Sequence, residues 1–259
     1  MANSGLKREE IIKALKERLE PLDFVLAMWE GGAAAFGRVD EWSDIDLQVA
    51  AQDDRVAEVL PIVEEVLLSL SPIDIKYEIP QPTWHGHAQT FYRLDSASRY
   101  LLIDFVVIKQ SSPLKFLEPE IHGNAIVHFD KANIVHVDPL DRAALDAKLK
   151  ERLSALRVTF DLFQILTLKE LERRNDIEAL AFYQGYTLRP LVEALRIRFA
   201  PTRYNFHTRY VQYDLPADVV QKLEALFFVK DVFDLRAKRE QAERWFYQAL
   251  DEIHIDKAT

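Results

Sequence analysis

The hydrophobic pattern of this chain changes at Asp138-Pro139, and that change constrains the fold more than any other feature of the sequence. Before it, short apolar runs alternate with polar residues at a period of two, which is typical of strands with one buried face. After it, apolar residues recur at helical spacing over long stretches that contain few glycines. We therefore predict an α+β protein in which an N-terminal domain with a mixed sheet, residues 1–138, precedes an all-helical bundle domain, residues 139–259.

The periodicity of each segment places individual elements within these two domains. In the first domain we predict a helix directly after the Gly31-Gly32 turn, helices at 6–19 and 54–70, and strands at 24–29, 45–49, 73–79, 88–94 and 100–108. The strand at 73–79 is expected to bury one face, and the last two strands are expected to form a hairpin. In the second domain we predict a kink at Pro190 and helices at 139–174, 176–199, 216–228 and 231–253.

Composition excludes several classes of protein. The chain has 259 residues, of which 49% are hydrophobic, so it can bury a sizeable core. It has no cysteine, which excludes disulfides, thiolate metal sites and cysteine nucleophiles. No apolar run approaches the roughly 18 residues that a membrane span requires, and we expect a soluble, cytoplasmic protein.

The acidic charge is confined to the first domain. Residues 1–138 carry 13 basic and 23 acidic side chains, whereas residues 139–259 carry 20 and 19. An acidic surface argues against a broad binding face for DNA or RNA, and it suits a site that holds cations.

A pair of aspartates marks the start of the second predicted strand. Side chains two residues apart on a strand point to the same face, so Asp44 and Asp46 project together while Ile45 and Leu47 enter the core. Two carboxylates at this separation repel each other unless they share a proton or a cation. Mg²⁺, which prefers carboxylate, water and phosphate oxygens, is the cation that suits this pair.

Upstream of this pair, Gly31-Gly32 lies at a predicted strand-to-helix turn. Without side chains, these residues let backbone N–H groups approach an anion, and a helix dipole behind them would favour negative charge. We interpret the turn as a phosphate cradle that faces the metal site. Taken singly, the turn and the aspartate pair are also consistent with an ordinary turn and a solvated strand end.

A third aspartate changes the weight of these alternatives. Asp104 lies within residues 100–108, where the eight other residues are apolar or aromatic. A carboxylate in the middle of a buried strand is costly to ionise unless a partner or a metal compensates it. Two interpretations of Asp104 stay open at this point, a metal ligand and a structural aspartate hydrogen-bonded to the backbone.

Together, Gly31-Gly32, the string Ser43-Asp44-Ile45-Asp46-Leu47 and the lone Asp104 resemble the motifs of the nucleotidyltransferase superfamily that includes DNA polymerase beta. Within it, the chain is most similar to bacterial small-molecule nucleotidyltransferases of the aminoglycoside type, which have a helical C-terminal domain. The motifs cover residues 24–108. For the helical half the likeness is one of architecture only.

This resemblance implies that Asp44, Asp46 and Asp104 hold two Mg²⁺ ions, with Asp104 binding only the second. It implies transfer of a nucleoside monophosphate, AMP from ATP or the equivalent from another NTP, to a hydroxyl of a small molecule such as an aminoglycoside-like antibiotic, with release of pyrophosphate. Members commonly carry Gly-Ser where this chain has Gly31-Gly32, so no side-chain hydroxyl contacts phosphate there. Ser43 is a candidate to orient Asp44 or to reach a phosphate.

Other functions compete for the same residues. An Asp-x-Asp also opens phosphatases of the haloacid-dehalogenase type, but Gln48 stands where they have Thr or Val. Glycosyltransferases use Asp-x-Asp with Mn²⁺, yet they do not need a Gly-Gly turn upstream. The alternatives that stay open are a non-catalytic nucleotide-binding or toxin–antitoxin protein and AMP transfer onto a protein hydroxyl.

Several further residues are weaker candidates. His85 and His87 are interpreted as exposed histidines of a loop rather than as metal ligands, because no third histidine or thiolate is near. The loop at residues 201–210 interleaves cations with aromatic rings, a pattern found in domain-packing loops and in sites for nucleic acid, triphosphate or acceptor. Glu193 and Asp161 are candidate general bases and otherwise solvated helix charges. The candidate triphosphate-binding cations are Arg38, Arg93, Arg99, Arg189, Arg196 and Arg203.

Overall fold

The computed structural model describes residues 5–137 and 139–255. The chain divides into two compact units, Met1–Leu140 and Asp141–Thr259. Asp138, the last residue of the predicted N-terminal domain, lies outside the described residues. The first unit contains, in chain order, α1 (Arg8–Leu19), β1 (Val25–Glu30), α2 (Gly32–Ala35), β2 (Ile45–Ala51), a 3-10 turn (Val56–Glu58), α3 (Val59–Leu70), β3 (Ile73–Glu78), β4 (Ala88–Leu94), β5 (Ile103–Lys109), α4 (Pro119–His122) and β6 (Ile126–Asp130).

The six strands of the first unit form one sheet in the order β3-β4-β5-β2-β1-β6. β2 and β5 are parallel, and the other neighbouring strands are antiparallel. The predicted mixed sheet, the hairpin of β4 with β5 and the α+β class are therefore confirmed. Because β2 and β5 run in the same direction, their N-terminal ends lie side by side at one end of the sheet.

The two faces of this sheet are covered by different clusters. Ile45, Leu47 and Val49, which alternate along β2, pack in one buried cluster with apolar residues of α1 and α3. A smaller buried cluster, which includes Trp29, covers the other face. Because side chains alternate along a strand, Asp46 projects to the face opposite α1 and α3.

The two edge strands depart from the sequence prediction. β3 is the outermost strand on one side, and Ile75 and Tyr77 are 50% and 57% exposed, so the predicted buried face is wrong. β6, on the other edge, is not predicted by the sequence pattern. Its first two residues, Ile126 and Val127, are adjacent apolar residues that are both exposed, which breaks the expected alternation.

The described part of the second unit is formed by helices and turns. Asp141 and Asp231 accept backbone N–H groups at the starts of its first and last long helices, as N-caps do. The predicted helices are confirmed with ends that differ by at most a few residues. In chain order the unit contains α5 (Arg142–Arg173), α6 (Asp176–Phe182), a π-helical turn (Tyr183–Leu188), α7 (Arg189–Phe199), a 3-10 turn (Pro201–Arg203), α8 (Val211–Asp214), α9 (Ala217–Phe227) and α10 (Val232–Asp251).

The π-helical turn stands where a kink at Pro190 is predicted. Proline has no backbone N–H, and its ring collides with the carbonyl of the preceding helical turn. The wider π-helical turn directly before it removes that conflict. Tyr183, in this turn, is buried and donates a hydrogen bond from its hydroxyl to the Leu226 carbonyl at 3.0 Å.

The core of the second unit is apolar and aromatic. Phe160 of α5 and Phe246 of α10 are buried and stack with their ring centroids 3.7 Å apart. Such contacts are typical of helices that bury one face against each other. Within residues 5–137 and 139–255, no helix is long and apolar enough to cross a membrane.

Candidate active site

Two of the predicted carboxylates lie next to each other at the start of the parallel strand pair. In the register of β2 with β5, Asp46 is the direct partner of Asp104. Neighbouring strands are about 4.8 Å apart, and partners in register project to the same face. Asp46 and Asp104 are each partly buried, so the structure brings two of the three predicted carboxylates together on the face opposite α1 and α3.

The turn between β1 and α2 packs directly against Asp46. The N–H of Gly31 donates to the Asp46 carbonyl at 2.9 Å. Gly32 has a φ of +54°, and a Cβ at this residue would lie 1.7 Å from Oδ2 of Asp46. Gly31 lies against the side chain of Gln48, whose Nε2 would be 3.2 Å from a Cβ there. The Asp46 carboxylate therefore occupies the space that a side chain at residue 32 would need.

Fewer groups are available to form the predicted phosphate cradle than the sequence suggests. The helix that follows Gly31-Gly32 has only four residues, so its dipole is small. The Gly31 N–H already donates its hydrogen bond to the Asp46 carbonyl of β2. Ser43 accepts the Asp40 N–H at 2.9 Å and donates its hydroxyl to Oδ1 of Asp40 at 2.7 Å. Phosphate binding by Gly31, Gly32 and Ser43 stays a prediction.

Asp44 lies one residue before β2 and has a different environment from Asp46. Desolvation raises the pKa of Asp44, while a hydrogen bond from the Leu102 N–H and the charge of Arg8 lower it less strongly. The Asp44 carbonyl accepts a hydrogen bond from Nη1 of Arg8. The side chain of Asp44 is thus bonded to the chain that leads into β5, and its backbone is bonded to α1.

A buried ion pair next to the glycine turn was not predicted from the sequence. Glu30, the last residue of β1, forms an ion pair with Arg8, and the two side chains are 5% and 12% exposed. Nε2 of His128 lies 3.7 Å from the other Glu30 oxygen. Burial lowers the pKa of Arg8, and the nearby charge of Asp46 is the largest of those that raise it. The one sequence signal for this pair is a glutamate that ends an apolar strand immediately before Gly31-Gly32.

Asp104 has a side-chain partner that the sequence does not indicate. Nε2 of Gln89, on β4, donates to Oδ1 of Asp104 at 2.7 Å. This contact depends on the pairing of β4 with β5, which brings residues 15 positions apart together. A hydrogen bond to a carboxylate fixes its rotamer and its orientation. Asp104 is therefore held by a side chain as well as by its strand.

The residues of this site fit a divalent cation in their chemistry. Asp46 and Asp104 provide carboxylate oxygens on adjacent strands, and Mg²⁺ prefers oxygen ligands. Among residues 5–137 and 139–255, no group of three or more His, Asp or Glu side chains is arranged to hold a metal ion. A two-ion site that also uses Asp44 stays a prediction.

The histidine pair has a different environment from the predicted exposed loop. His87 is 1% exposed, so the prediction that it is exposed is wrong, and burial lowers its pKa. The His87 N–H donates to Nδ1 of His85 at 3.1 Å. Both rings pack near Phe116, with centroids 6.3 Å and 5.7 Å from it. The two histidines therefore belong to an aromatic packing cluster.

The candidate bases of the second unit have partners of their own. Glu193 is buried and binds Arg152 through both carboxylate oxygens, the longer contact being 2.8 Å from Nη2. Asp161 accepts the hydroxyl of Tyr247, and burial together with this bond raises the pKa of Tyr247 to about 12. Both carboxylates have structural roles that do not require catalysis.

Arg196 of α7 and Arg203 of the loop at 201–210 hold that loop through a shared carboxylate, Asp214. Arg196 is completely buried and binds Asp214 at 2.8 Å, and Arg203 binds the same carboxylate at 2.6 Å. Nε of Arg196 also donates to the His207 carbonyl at 2.6 Å. A fully buried guanidinium with these partners is not available to a triphosphate. In the first unit, Arg93 forms an ion pair with Asp74.

Comparison with solved structures finds bacterial adenyltransferases among the similar chains, including two crystal structures. A crystal structure of an aminoglycoside 6-adenyltransferase from Bacillus subtilis is 9% identical, with a TM-score of 0.41 over 96% of this chain and 90% of that chain. A crystal structure of a spectinomycin adenyltransferase from Enterococcus faecialis, with ATP and spectinomycin, is 11% identical, with a TM-score of 0.34 over 98% and 92%. No protein-family model and no curated protein matches the chain. Both TM-scores are low, so these similarities do not identify a function. The function proposed below is inferred from the residues of this chain.

Proposed function

We propose that this chain is an Mg²⁺-dependent nucleotidyltransferase that moves AMP from ATP to a hydroxyl of a small molecule. The observation that carries the proposal is the register of β2 with β5, in which Asp46 and Asp104 are partners. The close approach of Gly32 to the Asp46 carboxylate supports it. A phosphate that reached the backbone of this glycine turn would lie next to the carboxylate that would hold Mg²⁺. The sequence motifs that resemble nucleotidyltransferases contain these same residues.

In the proposed reaction, the acceptor oxygen forms a bond to the α-phosphorus as its proton passes to solvent water. The bond from that phosphorus to the bridging oxygen of the β-phosphate breaks, and pyrophosphate departs. Bound Mg²⁺ would neutralise the triphosphate and lower the pKa of the acceptor hydroxyl. Asp46 and Asp104 would hold the ion. Asp44 would become a third ligand when its carboxylate gives up the hydrogen bond from the Leu102 N–H. Gln89 would keep the Asp104 carboxylate oriented.

Transfer should depend on a divalent cation and on an acceptor. We expect labelled ATP, Mg²⁺ and an acceptor panel of aminoglycosides, spectinomycin and lincosamides to give a labelled product and pyrophosphate. Excess EDTA should reduce that rate to background, because the carboxylates alone cannot neutralise a triphosphate. ATP binding by calorimetry without transfer to any acceptor would favour the non-catalytic alternative. Label on a co-purified protein, detected by intact mass, would favour AMP transfer onto a protein.

A methyl group at residue 32 should damage the site more than one at residue 37. Both glycines have positive φ angles, so alanine costs roughly 1–2 kcal/mol in backbone strain at either position. Only at Gly32 would the new Cβ overlap Asp46, because at Gly37 it meets no described heavy atom within 4 Å. Displacement of a catalytic group by about 1 Å lowers rates about 100-fold, and we expect that difference between Gly32→Ala and Gly37→Ala.

The measurement is label transfer by both variants at a temperature where circular dichroism shows both to be folded. Gly32→Ser should behave like Gly32→Ala, since its Cβ has the same overlap with Asp46. Equal rates for the residue 32 and residue 37 variants would mean that the position of Asp46 does not depend on Gly32.

A further inference from the structure

Arg8 contacts both ends of the segment that precedes the aspartate pair. This segment, residues 31–43, is called the site loop below; it begins after Glu30 and ends before Asp44. The Arg8 guanidinium forms an ion pair with Glu30 through Nη2 and donates to the Asp44 carbonyl through Nη1. One side chain of α1 therefore links the last residue of β1 to the residue that leads into β2.

The helix that carries Arg8 is firmly seated. Ile11, Leu15 and Leu19 of α1 are fully buried in the core beneath the sheet. Arg8 lies one turn before Ile11 and keeps only 12% of its side chain exposed. Because α1 is fixed by apolar packing, the guanidinium is a fixed point for the loop ends rather than a mobile surface charge.

The charges around Arg8 favour this arrangement. Glu30 is 5% exposed, and a buried carboxylate without a partner is strongly unfavourable. Asp46 and Asp44 both attract the guanidinium electrostatically. A planar guanidinium can satisfy a carboxylate and a carbonyl at the same time, which an ammonium group cannot do in the same geometry.

We propose that Arg8 is a positioning residue that holds the ends of the site loop, so that Gly32 and Asp44 keep their places beside Asp46. It acts through Glu30 and Asp44 and does not itself touch substrate. This inference rests on the proposed function for its effect on rate, but its effect on the loop is independent of any activity. The prediction is that loss of Arg8 loosens residues 31–46 and lowers kcat more than it raises KM for ATP.

The test compares Arg8→Met with Arg18→Met, a matched change at an exposed arginine of the same helix. Hydrogen exchange measured by mass spectrometry should be at least about tenfold faster in residues 31–46 of Arg8→Met, because both links to the loop are lost. Transfer should fall roughly 10- to 100-fold, which is the range for loss of a group that orients the ligands of a metal ion. Arg18→Met should match the wild type in both measurements, and Arg8→Lys should recover part of each.

A double variant separates positioning from folding. Arg8→Met together with Glu30→Met removes both buried charges, so we expect the chain to keep its fold even if Arg8→Met alone does not. We expect the double variant to exchange rapidly in residues 31–46 and to transfer slowly, as the Asp44 carbonyl still lacks its donor.

The outcomes that overturn the inference are distinct from those that overturn the proposed function. Unchanged exchange in residues 31–46 of the Arg8 variants contradicts the link to the loop, whatever the activity. Faster exchange with unchanged kcat contradicts the positioning role. Faster exchange in a chain whose wild type transfers no nucleotide supports the link to the loop and contradicts the proposed function.

Discussion

Replacing Asp104 by asparagine should lower nucleotidyl transfer about 1,000-fold, equivalent to roughly 4 kcal/mol of transition-state stabilisation. The change removes the negative charge that faces Asp46 across the strand pair. It preserves the shape of the side chain, and the asparagine oxygen can still accept the hydrogen bond from Gln89. The fold should therefore persist, and the loss should appear in the rate and in Mg²⁺ affinity.

The measurement is label transfer from ATP over a range of Mg²⁺ concentrations, with circular dichroism to verify the fold. Asp95→Asn is the matched control, because Asp95 is an exposed aspartate in the turn that follows β4. We expect this control to transfer at the wild-type rate. Equal metal-dependent transfer by Asp104→Asn and the wild type would exclude Asp104 from the reaction.

The candidate site combines residues that the sequence identifies with contacts that it cannot. Asp104 is conspicuous in the sequence because a carboxylate within an apolar strand needs compensation. Its position opposite Asp46 depends on a parallel pairing between β2 and β5, which are not consecutive strands. No local pattern encodes that register, because the intervening chain forms α3 and two further strands.

Arg8, Glu30 and Gln89 were missed for the same physical reason. The Arg8 bond to Asp44 joins residues 36 positions apart, and each side chain alone resembles an ordinary charge on a helix or a strand end. Local periodicity reports which face of an element is buried, and it carries no information about which polar group meets which. The helical positions of the second unit were predictable, since long amphipathic stretches and aspartate caps are local signals.

The loop at residues 201–210 shows a second limit of the sequence, which leaves a packing role and a binding role both open for it. Its mixture of cations and aromatic rings resembles a binding site in the sequence, but Arg203 of the loop binds Asp214, and so does Arg196 of the preceding helix α7. Arg196 has no exposed surface, and Asp214, to which it binds, has a side chain that is 1% exposed. Composition alone cannot distinguish a cation that binds an anionic ligand from one that forms an ion pair with a carboxylate of the same protein.

Replacing Asp214 by asparagine should destabilise the second unit by about 3–5 kcal/mol, the range for removing one partner of a buried ion pair. Asp214 accepts hydrogen bonds from both Arg196 and Arg203, and the variant removes the negative charge that these two guanidinium groups bind. The most protected amides of α7 report the stability of this unit by hydrogen exchange. Asp218→Asn, at an exposed aspartate of α9, is the control and should cost less than about 1 kcal/mol.

The pH dependence of this loss identifies its electrostatic origin. Burial raises the pKa of Asp214, but the hydrogen bonds and charges of Arg203 and Arg196 together outweigh it, so the pKa is lowered. A lowered folded pKa means that the carboxylate contributes its full stability above its unfolded pKa of about 3.9, and that this contribution is lost as the pH falls through the folded value. The stability difference between wild type and Asp214→Asn should therefore be constant from pH 7 to about pH 5 and shrink below about pH 4. A difference that stays constant at low pH would assign the loss to packing rather than to charge.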